Sequence, residues 1–364
     1  MPTPSAADLL PRLRSTVAKV PAYVAGRPAA AREGLEVFKL SSNENPYPPL
    51  PSVLTAITRA ATGVNRYPDP AATQMLAAVG SRWGLEPERL VAATGSVRLL
   101  AQLVEIACDP GDEVVFAWRS FEAYPIVAAV GDAVPVPVPL TAEGRHDLPS
   151  MLAAVGERTR LVLLCSPNNP TGPAIRSGGL EEFLAQVPGD VLVVLDEAYR
   201  EFVDDPEVPD GVDVLHDRPN VVVLRTFSKA YGLAGLRVGV AAAHPHVASA
   251  LRRAATPFGV SGIAQAAVVA SLQDAAEAEL MERVAALVAE RRRVVGGLRE
   301  QGWAVPDAQG NFFWLPVGER TPALVDAFGV EGLSVRGYGS DGVRVTVGET
   351  AANSRFLDVA ARLR

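Results

Sequence analysis

Lys229 follows the apolar run 221–224, inside Thr226-Phe227-Ser228-Lys229-Ala230-Tyr231-Gly232-Leu233-Ala234-Gly235-Leu236-Arg237. Lysine is rarely buried unless it is paired or reactive. Desolvation disfavours the ammonium form, and the neutral amine that results is a nucleophile able to form a Schiff base. Ser228 and Arg237 supply a hydroxyl donor and a bidentate cation, the two residue types that suit a phosphate. A surface lysine in a Gly-rich turn has the same composition, so this segment alone leaves both readings open.

Three further groups follow or open predicted elements in the same way. The run 191–195 leads into Asp196-Glu197-Ala198-Tyr199, and a carboxylate at the C-terminal end of a buried parallel strand stands where ligands of open α/β sheets bind. By itself Asp196 reads equally as a helix cap or a magnesium ligand. Ser166-Pro167-Asn168-Asn169-Pro170-Thr171-Gly172 follows another apolar run; its prolines stiffen the loop and its asparagines carry amide donors, as a plain turn would. Thr94-Gly95-Ser96 opens a predicted helix, where free backbone N–H groups and a hydroxyl form an anion site.

The elements that must hold these groups alternate along the chain. Short β-branched runs stand at 113–116, 134–138, 161–165, 191–195, 221–224 and 238–242, with helical periodicity at 96–108, 121–130 and 178–187. Continuous apolar strands alternating with helices predict an α/β fold whose mostly parallel sheet is covered on both faces. Beyond residue 258 the pattern changes. Residues 264–299 are helical in composition, and apolar runs at 311–315 and 343–347 suggest a smaller α+β lobe. The expected organisation is an arm with part of the small lobe over 1–40, a large domain over 41–257 and a small domain over 258–364.

Composition removes several function classes. The chain has 364 residues, 48% hydrophobic and 21% charged, with a net charge of −7, which argues against a nucleic-acid surface. Two cysteines, Cys108 and Cys165, have neither metal nor redox spacing, which fits a reducing cytoplasm. No apolar run approaches the roughly 18–20 residues that span a bilayer, and residues 1–20 lack a signal-peptide core. His146, His216 and His244-Pro245-His246 offer no metal set. No strand leads into G-x-G-x-x-G, which disfavours a nicotinamide enzyme.

In order and spacing, Asn168, Asp196-x-x-Tyr199, Ser228-Lys229 and Arg237 resemble the signature of fold-type I aminotransferases, enzymes of pyridoxal 5′-phosphate. Leu40-Ser41-Ser42-Asn43-Glu44-Asn45-Pro46, Arg66-Tyr67-Pro68 and Arg344-Val345-Thr346-Val347-Gly348 look like the histidinol-phosphate aminotransferase branch. The resemblance implies a large domain with a mostly parallel, seven-stranded type of sheet and a smaller α+β domain. It also implies a homodimer with shared active sites. Lys229 would bond the cofactor and move the proton between it and the substrate Cα. Asp196 would hold the pyridinium, Tyr199 and Asn168 would bond its ring oxygen, and Phe121 would stack on the ring. Ser96, flanked by Gly95 and Val97, would hold the phosphate with Thr226, Ser228 and Arg237, and Tyr67 would reach it from a second subunit. Arg344 would take the substrate α-carboxylate, where a bidentate guanidinium suits a planar anion. Asn168 and Tyr23 would touch substrate, Tyr23 as an arm residue closing over the neighbour. Arg336 stands where a second substrate-facing arginine is expected, although a surface salt bridge would look the same.

Two departures bear on the substrate. After Gly95-Ser96 the histidinol-phosphate branch has an Asp-Glu pair, where this chain has Val97-Arg98; in place of Pro-Thr-Tyr it has Arg119-Ser120-Phe121. Both changes resemble actinobacterial aromatic (phenylalanine) aminotransferases. Phe in place of Tyr keeps a stacking face and loses a hydroxyl. The expected reaction is ping-pong transfer from phenylalanine, tyrosine or tryptophan to 2-oxoglutarate, with histidinol phosphate as the alternative donor.

Overall fold

The computed structural model describes residues 11, 13–14, 16–17, 20 and 34–364. Strands β1 (Phe38–Lys39), β2 (Leu90–Ala93), β3 (Glu113–Trp118), β4 (Val134–Pro139), β5 (Thr159–Cys165), β6 (Leu192–Asp196), β7 (Val221–Thr226) and β8 (Gly239–Ala242) come first. They alternate with helices α1 (Pro51–Ala61), α2 (Thr73–Trp83), α3 (Ser96–Ala107), α4 (Ala123–Val130), α5 (Leu148–Ala153), α6 (Ser177–Gln186), α7 (Gly211–Leu215) and α8 (Pro245–Arg253). Seven strands form one sheet in the order β2-β8-β7-β6-β5-β3-β4. The five from β7 to β4 are parallel, and β8 runs against both β7 and β2.

Side-chain pattern explains strand position. Every residue of β7 is buried, as are all but Arg160 of β5 and all but Leu192 of β6, as expected of central strands covered on both faces. In β4 proline recurs at 135, 137 and 139. Proline cannot donate to a ladder, so such a strand is confined to an edge, and β4 pairs with β3 alone. The Ala-rich β2 closes the opposite edge; at four residues it is too short and too weakly β-branched to stand out in the sequence.

The smaller lobe contains α9 (Gly262–Ser271), α10 (Asp274–Glu300), β9 (Phe312–Leu315), α11 (Thr321–Val330), β10 (Leu333–Ser334), β11 (Arg336–Tyr338), β12 (Gly342–Thr346) and α12 (Thr350–Leu363). Strands β11-β12-β9 form an antiparallel sheet, and β1 pairs in parallel with β10. Packing draws the boundary between the lobes later than residue 258. Val260, Ala264, Ala267, Val268, Ala276 and Leu280 belong to the core of the large lobe, whereas Val284, Leu287 and Val294 pack with β9 and β12. The small side chains of α9 let it lie closely against α1, so the division falls within the long helix α10. Among the described residues, no helix is long and apolar enough to cross a membrane.

Candidate active site

Strand β2 runs in the direction of β7, because each is antiparallel to β8. The C-terminal ends of β2, β3, β5, β6 and β7 therefore share one edge of the sheet, where open α/β sheets bind their ligands. The turns that leave these strands enclose a cavity of about 440 Å³. Ser96, Val97, Phe121, Asp196, Tyr199, Thr226, Ser228, Lys229 and Arg237 line it from the large lobe, and Arg336, Tyr338 and Arg344 from the small lobe.

Lys229 lies three residues past the end of β7. Its Nζ donates to the Ser42 carbonyl at 3.2 Å and lies 5.8 Å from the centre of the Tyr199 ring. Desolvation lowers its ammonium to about 7, and the Arg344 guanidinium acts in the same direction. An amine so lowered is neutral in a substantial fraction at physiological pH, as an attacking nucleophile requires. In the cofactor-free protein, modification of Lys229 by an amine-directed acylating reagent should show a pH midpoint near 7. Site-resolved mass spectrometry reads it, and a midpoint in the ordinary lysine range would contradict the desolvation. The same depression means that the unfolded chain binds more protons than the fold does between about 7 and the ordinary lysine value. This group therefore adds stability as pH rises through that window.

Asp196 ends β6. Its Oδ2 accepts from the Tyr124 hydroxyl at 2.8 Å, while Oδ1 is buried without a hydrogen-bond partner among the described residues. Burial pushes the carboxyl up to about 6, against the Tyr124 hydroxyl and the Ala198 N–H, which hold it down. A buried acceptor without a donor is costly, and a protonated ring nitrogen would supply one. Tyr199 accepts from Asn43 Nδ2 at 3.0 Å, and burial drives its phenol above the usual range.

A cradle for an anion lies at the mouth of β2 and β7. Thr226 Oγ1 donates to Ser228 Oγ at 3.0 Å, and Arg237 Nη1 donates to the same Ser228 Oγ at 3.2 Å. Arg237 has a φ of 52°, which turns its side chain back over Gly95. Gly95 itself has a φ of 85°, a backbone conformation that glycine adopts without strain and other residues do not. Together, the unpartnered Asp196 oxygen, the partly neutral lysine and this cradle fit a phosphorylated pyridine aldehyde.

One asparagine assignment is corrected. Asn168 is fully buried, and its side chain points away from the cavity. Its Nδ2 donates to Thr171 Oγ1 at 2.7 Å and to the Arg119 carbonyl at 3.1 Å, and its Oδ1 accepts from Ser120 Oγ at 2.7 Å. Asn169 lines the cavity instead, and its Oδ1 accepts from Arg344 Nη1 at 2.6 Å. Neighbouring side chains of a tight turn face different ways, and spacing from a strand cannot select between them.

Arg344 Nη2 also donates to the Ser41 carbonyl at 2.7 Å, and its Nε is buried without a hydrogen-bond partner among the described residues. Arg336 lines the cavity, and its Nη2 donates to Glu122 Oε2 at 2.8 Å in an ion pair that is buried on the arginine side and not at the surface. Tyr67 is 83% exposed, against Phe258 at a ring separation of 4.6 Å, and outside this cavity. Tyr23 lies outside the described residues. Sequence reasoning missed Tyr124, Glu122, Asn43 and Tyr338. Tyr124 carried a faint signal, three residues beyond Phe121 on one helix face.

An amine of lowered pKa, a buried carboxylate with an open acceptor and an anion cradle around one cavity are equipment for chemistry on amines. The chain belongs to the aminotransferase class I and II family, whose model matches residues 36–359. It is 56% identical over 354 residues to an aromatic amino acid aminotransferase of Streptomyces coelicolor, covering 97% of this chain and 98% of that one. It is 53% identical to an enzyme of the same name from Thermobifida fusca, covering 96% of each chain. Among solved structures, histidinol-phosphate aminotransferase from Sinorhizobium meliloti in complex with pyridoxal-5′-phosphate superposes with a TM-score of 0.87 at 28% identity, covering 99% of this chain and 100% of that one.

Proposed function

We propose that this chain moves the amino group of an aromatic amino acid to 2-oxoglutarate, with pyridoxal 5′-phosphate as cofactor. The reading rests on one observation above the rest: Lys229, the open Asp196 oxygen, the phosphate cradle and Arg344 face a single cavity whose remaining wall carries Phe121, Ile126, Val127 and Tyr338. When bound, the cofactor supplies an aldehyde for amines and a ring that withdraws electrons from the substrate Cα.

The residues of this chain divide the remaining tasks. Ser96, Thr226, Ser228 and Arg237 hold the phosphate, and Gly95 and Val97 shape the approach to it. Phe121 covers one face of the ring. Asp196 Oδ1 accepts from the ring nitrogen and keeps it protonated, with Tyr124 fixing the carboxylate's other oxygen. Tyr199 and Asn169 would bond the oxygen on the ring. Arg344 orients the substrate through its α-carboxylate, with Asn169 and the Ser41 carbonyl holding the guanidinium in place. Lys229 Nζ would hold and move the proton of the substrate Cα, and its place beside the substrate would make that transfer intramolecular. Tyr67 and Tyr23 serve the neighbouring site of a cytoplasmic homodimer.

The test compares kcat/KM for phenylalanine and for histidinol phosphate, with 2-oxoglutarate as acceptor. We expect phenylalanine to be preferred by about tenfold or more, the scale on which an apolar wall discriminates between a phenyl ring and a more polar imidazole. A comparable preference for the phosphate ester would keep the chemistry and replace the substrate.

A further inference from the structure

Arg336 and Arg344 are directly opposed across β11 and β12. Cross-strand partners share a face, and like charges there repel. The cavity should therefore present two adjacent guanidinium groups, a receptor for a substrate with two anionic ends. Their partners differ, however. Arg344 bonds neutral groups, the Asn169 amide oxygen and the Ser41 carbonyl. Arg336 bonds a carboxylate, Glu122, from the first turn region of α4 in the other lobe, 214 residues away in sequence. Glu122 also lines the cavity, next to Phe121, and its side chain is 26% exposed.

Resting on the function proposed above, we infer that Glu122 is a specificity-determining residue that cancels the charge of Arg336. With Glu122 in place, one arginine remains for the α-carboxylate, and the far end of the cavity presents a neutral ion pair beside Phe121 and Tyr338. That end suits an uncharged ring. A substrate with a distal anion must instead displace Glu122 from Arg336, and the carboxylate can turn towards the water it already touches. The acceptor 2-oxoglutarate follows this second course, so a single cavity serves both half-reactions by exchanging the partner of Arg336.

Glu122→Gln keeps the shape and removes the charge. Binding to the holoenzyme is measured by calorimetry with two unreactive carboxylates, glutarate and 3-phenylpropanoate, which share the end that Arg344 takes and differ at the other. In the variant, the Kd ratio should move about tenfold towards glutarate, the size expected when a close competing charge is deleted at a part-exposed site. A second variant, Arg336→Met, should weaken glutarate and retain 3-phenylpropanoate, and it keeps the test open if Glu122→Gln folds poorly. A glutarate-to-phenylpropanoate ratio within twofold of wild type in both variants overturns the role of Glu122. Wild-type enzyme that fails to process phenylalanine overturns the functional reading instead, so the two failures are separable.

Discussion

Lys229→Ala is expected to lower kcat by at least about 10³-fold, because one residue supplies both the nucleophilic amine and the positioned base, and base catalysis alone contributes roughly 10²–10⁴. The loss should fall on kcat more than on KM. Arg344, the Phe121 face and the phosphate cradle are untouched by the change. The fold should be unharmed, since the replaced ammonium is destabilised by desolvation and, among the described residues, donates only to the Ser42 carbonyl. Steady-state kinetics with a thermal melt as control checks both statements. A variant that melts normally and retains a tenth of wild-type turnover would remove Lys229 from the centre of the chemistry.

The second large effect belongs to Asp196→Asn. The change keeps the volume and removes the charge opposite the ring nitrogen. Deleting one partner of a buried charge pair costs about 3–5 kcal/mol, which at 1.36 kcal/mol per tenfold is roughly 10²–10⁴ in kcat. Stability should move the other way in the cofactor-free protein. Burial raises the Asp196 carboxyl to about 6, so this group contributes less stability as pH rises from the ordinary aspartate value towards 6 and stays unfavourable above it. At pH 7 the cofactor-free variant should therefore melt at or above wild type, while cofactor affinity and kcat fall. A melting temperature and a turnover that drop together would mean that the carboxylate holds the fold, not the ring.

The parts of the site that the sequence disclosed are those fixed by their distance from a strand. Asp196 ends β6 and Lys229 follows β7 by three residues, so an apolar run followed by a polar residue marks them as candidates, while Ser96 is marked by the helix it opens. Orientation within a turn was not legible, which is why Asn168 was chosen where Asn169 faces the cavity. Contacts between distant segments were hidden as well. The pairing of Arg336 with Glu122 and of Tyr124 with Asp196 depends on how the lobes and layers pack, and no periodicity encodes it. The fold followed the same rule. Continuous β-branched strands announced themselves, whereas the short Ala-rich β2 did not. The helical stretch from residue 264 concealed a break between α9 and α10, because neither Leu272 nor Gln273 is a residue type that interrupts helices.

The most direct measurement of the central claim uses the rarity of lysine in this chain: Lys19, Lys39 and Lys229 are the three it contains. Holoenzyme purified with pyridoxal 5′-phosphate is treated with borohydride, which makes a lysine–cofactor linkage permanent, and its peptides are mapped by mass spectrometry. The expected result is a cofactor adduct on Lys229 alone, and no adduct when phenylalanine has been added before the reductant without an acceptor. An adduct on Lys39 or Lys19 in place of Lys229, or one that phenylalanine leaves untouched, would contradict the assignment of Lys229 as the amine that holds the cofactor and yields it to an aromatic substrate.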